Sequence, residues 1–434
     1  MSTTDRRYLR RAVAGDLDAF AHEAWGRHAV LSRRDDLAKH RGDDEPGFDD
    51  LFSLDAVDEL LANRGLRTPF LRVAKQGTVV GSGQFTGDGG VGAEVGDQVR
   101  DDRVAALFAD GHTVVLQGLH RTWAPVTALA TGLNADLGHP VQVNAYVTPA
   151  SSTGFSAHYD VHDVFVLQIA GTKRWHVHAP VHPDPLRSQP WNDHGGAVSG
   201  RAREEPLLDE VLHPGDALYL PRGYLHSATA QGEVSAHLTV GVHVVTRHAL
   251  LETLLAGLAD DPELRSSLPL GVDVSDPAAL APHLAAVARR AAEHLADRST
   301  DDEHARDAAD QLRGRVWSGN RPESLRPLRQ AAAVHAVGPE TVLRLRHGLR
   351  HRVHPDDDGR LRLELPDRTL ELPAGAATPL AALLSGREVT LGQVGEDEPG
   401  DAVVVARRLL TEGVLVTPES VGGAPDDRAG TTEP

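Results

Sequence analysis

Cysteine is absent from this 434-residue chain. That excludes a disulfide framework and a thiolate metal site, so any metal must be held by His, Asp or Glu. Lysine is nearly absent: Lys39, Lys75 and Lys173 are the only three among 44 basic side chains, and arginine supplies the rest. Aromatic residues make up 4% of the chain while 40% is hydrophobic, so Ala, Leu and Val must fill most of the interior. No run approaches the roughly 18–20 apolar residues that a membrane-spanning helix needs. The N-terminus, Met-Ser-Thr-Thr-Asp-Arg-Arg-Tyr, has no apolar stretch behind it, so no signal peptide and a cytoplasmic location are expected. No internal repeat is visible.

The length predicts two or three domains. The net charge of −18 argues against nucleic acid binding over the whole surface and suits a basic partner, although such charge also serves solubility. Residues 1–68 mix helical pattern with acidic loops. Phe20 to Trp25 and Asp55 to Leu61 are expected helices, and the stretch 43–50 is an acidic turn-rich segment. From 69 to 247 short β-type runs alternate with Gly, Pro and Asp. Strands are expected at Thr113–Gln117, Val141–Val147, Val164–Ile169, Arg174–His178, Ala217–Leu220 and His237–His243, with a helix at Ala124–Leu137 between them. This pattern predicts a mostly β domain of the jelly-roll or cupin-barrel kind. The segment 183–210 is expected to be a long irregular loop, a candidate lid. Residues 248–338 have helical periodicity and form an all-α module suited to pairing two copies. Residues 339–420 mix strand and helix in a small α+β domain, and 421–434 are expected to be a disordered tail.

The tripeptide His-x-Asp occurs three times, at His158-Tyr-Asp160, His182-Pro-Asp184 and His354-Pro-Asp356. The last two carry a central proline in loop-like sequence and are expected to form turns. The first lies between two strands, where period-two geometry puts His158 and Asp160 on one face. A third ligand is expected from a distant strand. His226, just after the turn Pro221-Arg-Gly223, is the candidate, with His213, His237 and His243 as rivals. Two histidines and one carboxylate make a facial triad for non-haem Fe(II), with three positions left open. A 2-oxo acid would take two of these and dioxygen the third. The distal carboxylate of the oxo acid then needs a cation, and Lys173 is placed to supply it, a compact charge where the chain otherwise uses arginine. Trp175 shares its strand face. Asn144 and Tyr146 share a face on the strand upstream and offer hydrogen bonds to the same pocket.

These residues together resemble the JmjC-type ribosomal oxygenases, the cupin-4 family of 2-oxoglutarate-dependent protein hydroxylases. The resemblance is carried by Asn144-Ala-Tyr-Val-Thr-Pro149, His158-Tyr-Asp160, Phe165-Val-Leu-Gln168, Gly171-Thr-Lys173-Arg-Trp175, Gly215 through His226 and Ser235-Ala-His-Leu-Thr239. It implies a double-stranded β-helix (the JmjC cupin barrel), then a helical dimerisation module, then a winged-helix-like domain. It implies that His158, Asp160 and His226 bind Fe(II). It further implies that Lys173, assisted by Asn144, holds 2-oxoglutarate, and that Tyr146 lies near the substrate. That substrate would be an arginine or histidine side chain of a ribosomal protein, and the enzyme a homodimer. Between 341 and 419 ten basic residues stand against thirteen acidic ones, so nucleic acid binding by this domain is not expected. The alternatives are a small-molecule 2-oxoglutarate oxygenase and a non-catalytic metal-binding scaffold.

Overall fold

The computed structural model describes residues 6–40, 47–150, 152, 156–298, 302–356, 358–394 and 399–421. The core of the acidic segment 43–50 and the tail from 422 lie outside them.

Eleven strands build the two main sheets of the β domain: β1 (Val30–Ser32), β2 (Leu71–Lys75), β3 (Thr78–Val79), β4 (Thr113–Leu116), β5 (Val141–Thr148), β6 (Asp163–Ala170), β7 (Lys173–His178), β8 (Leu208–Leu212), β9 (Ala217–Leu220), β10 (Leu225–Ala230) and β11 (Ser235–Val242). Eight of them form an antiparallel sheet in the order β1-β9-β6-β11-β5-β4-β2-β3, and the other three form a second sheet, β8-β7-β10. Val164, Val166, Leu218 and Leu220 of the large sheet pack against Trp175, Val177 and Leu212 of the small one. The strand alternation is that of a half-covered sheet. In β7, Lys173, Trp175 and Val177 are buried, while Arg174 faces outward and pairs with Asp209 at 2.6 Å.

Strand β6 is buried along nearly its whole length because its other face is covered too. Phe20 packs on Phe165 and Tyr219, and Trp25 stacks on Tyr219 at 5.5 Å. The helix expected from Phe20 to Trp25 is a wide π turn over Phe20–Ala24, closed by Trp25 N–H donating to the Phe20 carbonyl. Its i→i+5 geometry brings residues five apart onto the same side, so both rings reach Tyr219. The helix Leu54–Asn63 starts where Ser53 Oγ accepts the Ala56 N–H. The helix Ala124–Leu137 has the expected bounds.

The segment 183–210 is more ordered than its composition predicts. It holds a 3-10 turn at Trp191–His194, a helix at Gly195–Arg201 and the start of strand β8. Strand β8 reads polar because Asp209 and Glu210 point to solvent and to arginines, and only its pairing with β7 makes it a strand.

Residues Val244–Gly319 form a separate compact unit. Its helices are Arg247–Gly257, Pro277–Arg298 and Asp302–Ser318. The expected boundary at 338 lies beyond its end. The helix Pro327–Ala336 packs instead on Pro399–Thr411, where buried Gln330 Nε2 donates to the carbonyls of Leu410 and Leu415 at 2.8 and 2.9 Å. In this C-terminal region the meander Arg352–Pro355, Leu361–Glu364 and Thr369–Leu372 shares one apolar core with Leu380, Leu383, Ala406 and Leu409. His354 is thus in a strand, not in the expected turn, with Nε2 2.9 Å from Glu364 Oε1. The turn begins at Asp356, whose carboxylate accepts the Arg360 N–H.

Candidate metal centre

A single antiparallel bridge brings the two histidines together. His158 N–H donates to the His226 carbonyl (3.2 Å), and His226 N–H returns a bond to the His158 carbonyl (2.8 Å). Directly opposed residues project their side chains to the same face, and the two imidazoles lie 4.5 Å apart. Asp160, two residues on, returns to that face, its Oδ2 3.8 Å from His226 Nε2. One ligand atom from each of the three lies within 4.8 Å of the others, the one such cluster among the described residues.

The ring orientations suit metal binding. His158 Nδ1 faces the Ser156 carbonyl at 2.7 Å, and His226 Nδ1 faces the Tyr224 carbonyl at 3.1 Å. A proton on each Nδ1 leaves the Nε2 lone pairs for a cation, the usual way a protein sets the tautomer of a ligating histidine. Burial, with the neighbouring His158, pulls His226 down to about 4, so it is neutral at physiological pH. Burial opposes ionisation of Asp160, but the surrounding His162, His226, His158 and Arg72 outweigh it and hold the carboxyl below its usual range. Two imidazoles and a carboxylate on one face fit a divalent cation that prefers mixed N and O ligands, Fe(II) among them.

The turn before His226 is fixed from several sides. Gly223 N–H donates to the Asp160 carbonyl at 3.0 Å. Gly223 has φ +89, and a Cβ there would lie 2.8 Å from the His182 carbonyl oxygen, so only glycine fits. Beneath it, fully buried Asp163 accepts from Tyr219 Oη (2.6 Å) and from the backbone and guanidinium of Arg222 (3.2 and 3.4 Å). Arg222 also reaches Asp184 at 3.1 Å.

The triad opens into a cavity of about 690 Å³. Lys173, Trp175, Tyr146 and His237 line it. Lys173 is 3% exposed, and among the described residues its ammonium donates only to Thr148 Oγ1, at 2.9 Å. Among the described residues no carboxylate pairs with it, and burial pulls it down to about 7. Tyr146 stacks on His237 at 5.2 Å and 3°, and burial together with the Asp160 charge pushes its hydroxyl up to about 12. Asn144 is not brought to this cavity. Its Oδ1 accepts the Gly118 N–H at 3.0 Å and so fixes the chain after β4. Among the rival histidines, His237 is a neutral wall residue, kept uncharged by burial and by Lys173. His243 stacks on His162 at 5.4 Å, and His213 lies in the Asp216 turn. Arg72, Val79 and Trp191 line the cavity and Thr148 meets Lys173, and the sequence alone assigns none of them a role. Thr148 carried a signal, since it follows Tyr146 at period two in β5. The others come from distant segments whose pairing the sequence does not show.

Residues 129–250 match the family model of the JmjC domain. The bifunctional lysine-specific demethylase and histidyl-hydroxylase NO66 of Drosophila willistoni is 38% identical over 137 residues, 30% of this chain and 18% of that protein. Ribosomal oxygenase 1 of Homo sapiens is 30% identical over 262 residues, 58% of this chain and 37% of its own length. The chain therefore spans well under half of these relatives. The solved Escherichia coli ribosomal oxygenase YcfD superposes over 94% of this chain and 99% of its own, with a TM-score of 0.50 at 17% identity. Its complex with cobalt and succinic acid gives 0.51 at 17%, over 93% and 99%. At that identity the likeness speaks for the fold. The part of the β domain that carries the triad matches the JmjC domain, and the chain is similar in sequence and fold to the JmjC ribosomal oxygenases.

Proposed function

We propose that this chain is an Fe(II)- and 2-oxoglutarate-dependent oxygenase that hydroxylates a protein side chain, an arginine or histidine of a ribosomal protein. The observation that carries the reading is Lys173, a buried ammonium with no carboxylate partner among the described residues, in the cavity that holds the His158–Asp160–His226 triad. A buried charge left unpaired is costly, and an anionic ligand would relieve it. A dicarboxylic oxo acid supplies that anion at one end and metal-chelating oxygens at the other. Fe(II), when bound by the triad, would couple dioxygen activation to oxidative decarboxylation of the oxo acid.

The chain's own residues bind, orient and exclude water. Lys173 and the Thr148 hydroxyl receive the distal carboxylate. Trp175, Val164 and Val166 form a dry wall beside it. Tyr146, held flat against His237, stays protonated at physiological pH and offers a hydroxyl towards the substrate side. Basic targets suit the net charge of −18. The names of the human and Escherichia coli relatives support a ribosomal one. The reading is tested by intact-mass comparison of ribosomal proteins from cells with and without this chain. One protein heavier by a single oxygen atom, only where the chain is present, is the expected result. Identical masses throughout would sink the ribosomal target.

We propose the helical unit as the homodimer surface. Among its described residues only Thr253 and Asp261 are buried, while Leu250, Leu251 and Leu255 lie exposed along Arg247–Gly257. Such an apolar face calls for a partner. Leu251→Glu with Leu255→Glu should turn a dimer into a monomer in sedimentation velocity. A wild-type monomer would refute this role. The acidic C-terminal region then serves as a winged-helix-like protein-docking element rather than a nucleic acid reader.

A further inference from the structure

Among the described residues up to 243, large apolar side chains are exposed only at Leu54, Val79, Val91, Trp191 and Leu207. Two of these five, Val79 (49% exposed) and Trp191 (37%), line the cavity of the metal triad. They mark its solvent end, since Lys173, Trp175 and His237 are each less than 5% exposed. The Trp191 ring lies 6.5 Å from the His158 ring at 56°. Its indole N–H makes no hydrogen bond among the described residues. An indole exposed beside a reactive centre, with a free donor, is the kind of side chain that dominates recognition of a partner.

The stretch that carries His158 and Asp160 itself holds Trp191 in place. Tyr159, between the ligands His158 and Asp160, is 1% exposed, and its hydroxyl donates to the Gln189 carbonyl at 3.1 Å. The Gln189 side chain accepts the Leu186 N–H at 2.8 Å and lies 3.2 Å from His182 Nε2. His182 stacks on His194 at 4.6 Å, closing the 3-10 turn that begins at Trp191. At the start of the segment, Asp184 is tied to Arg222 of the turn before His226. The segment is thus anchored at both ligand-bearing stretches. A surface tryptophan with no role would not call for such registration.

From this placement we infer that Trp191 is a substrate-binding residue, its indole face receiving the planar side chain of the target, a guanidinium or an imidazole, as that side chain enters towards the triad. Planar cations and imidazoles stack on indole better than on any other side chain. Val79, on the edge hairpin across the mouth, packs against the aliphatic part of the incoming residue. Tyr159 is a positioning residue that acts through the Gln189 carbonyl. This inference rests on the proposed protein-hydroxylase reading and adds the residue that grips the target.

The test uses the full chain reconstituted with Fe(II) and 2-oxoglutarate, with ribosomal proteins as the probe and intact mass as the readout. Trp191→Ala is expected to raise KM for the modified protein about tenfold, with a smaller change in kcat, while Co(II) titrates the triad with the wild-type absorption spectrum. Trp191→Phe is expected to recover most of the loss. Tyr159→Phe should raise KM in the same direction by less. An unchanged KM in Trp191→Ala, or no recovery in Trp191→Phe, overturns the inference and leaves the hydroxylase reading intact. No oxygen-bearing product with the wild-type chain overturns that reading, and the inference with it.

Discussion

Replacing His158 by alanine is expected to abolish oxo-acid turnover and to weaken metal binding by more than about 100-fold. That bound follows from scale: loss of a partner outside the ligand set already costs about 10–100-fold in affinity. The three candidate ligands form one cluster, and among the described residues no second cluster stands ready to replace it. His162 and His243 are engaged with each other, and His237 is stacked on Tyr146 and meets Trp175 edge-on at 5.4 Å. The fold should survive. His158 is held in register by backbone bonds to His226, which alanine keeps, and its ring is only half-buried. Loss of the Co(II) absorption signal together with oxo-acid consumption, at an unchanged far-UV circular dichroism spectrum, is the expected pair of results. Turnover retained by His158→Ala, or a Co(II) titration like that of the wild type, would remove the triad from the mechanism.

The second large effect is at Lys173, where two consequences of one substitution run in opposite directions. Lys173→Met keeps the length of the side chain and removes the charge. The affinity for 2-oxoglutarate should fall about 30-fold or more, because removing one member of a buried charge pair costs about 2–5 kcal/mol. The ligand-free protein should become more stable, because an unpaired buried ammonium disappears. Lys173→Arg should not restore binding, since a planar fork does not fit where a compact charge on a narrow stem sits against Thr148. Thermal unfolding and oxo-acid KM, measured on the same samples, check both. A Lys173→Met protein that is less stable without ligand, or has the wild-type KM, contradicts the assigned role.

The pH dependence follows from the same burial. Without ligand the Lys173 ammonium titrates at about 7 against an ordinary 10.5. The folded chain thus holds fewer protons than the unfolded chain between these values, and its stability rises with pH across that window. The full cost of the buried charge is present below about pH 7, so the stability advantage of Lys173→Met should be largest there and shrink as pH rises. Oxo-acid binding needs the protonated form. Its KM should be flat below about pH 7 and rise about tenfold per unit above it, with one proton taken up per ligand bound. A KM independent of pH from 6 to 9 would contradict this.

Much of the β domain was legible in the sequence because period-two alternation and Gly/Pro punctuation are local signals. The bounds of the helix Ala124–Leu137 and of strand β9 came out as expected for that reason. Period two also placed His158 with Asp160, and Lys173 with Trp175, on common faces. The misreadings have one physical source. Strand β8, Leu-Asp-Glu-Val-Leu, is polar at its centre and becomes a strand only when β7 pairs with it and Arg174 and Arg33 neutralise its acids. The π turn at Phe20 exists because two rings five residues apart must both meet Tyr219. Asn144 shares a face with Tyr146 but is claimed by the Gly118 N–H, a partner from another segment.

The sequence by itself determined the chemistry on offer. A chain without thiols, with two imidazoles and a carboxylate in strand context and one lysine set among arginines, is limited to an oxygen- and nitrogen-ligated metal beside a compact cation. Only the tertiary structure decided that these groups share one cavity, since His158 and Asp160 lie in the connection between β5 and β6 while His226 lies far along the chain in β10, and the His158–His226 bridge exists only once both sheets have formed. It also decided that Lys173 is buried without a counter-charge, and that Trp191 stands at the mouth. Burial and unpaired charge are properties of everything packed around a residue, and no local stretch of sequence encodes them.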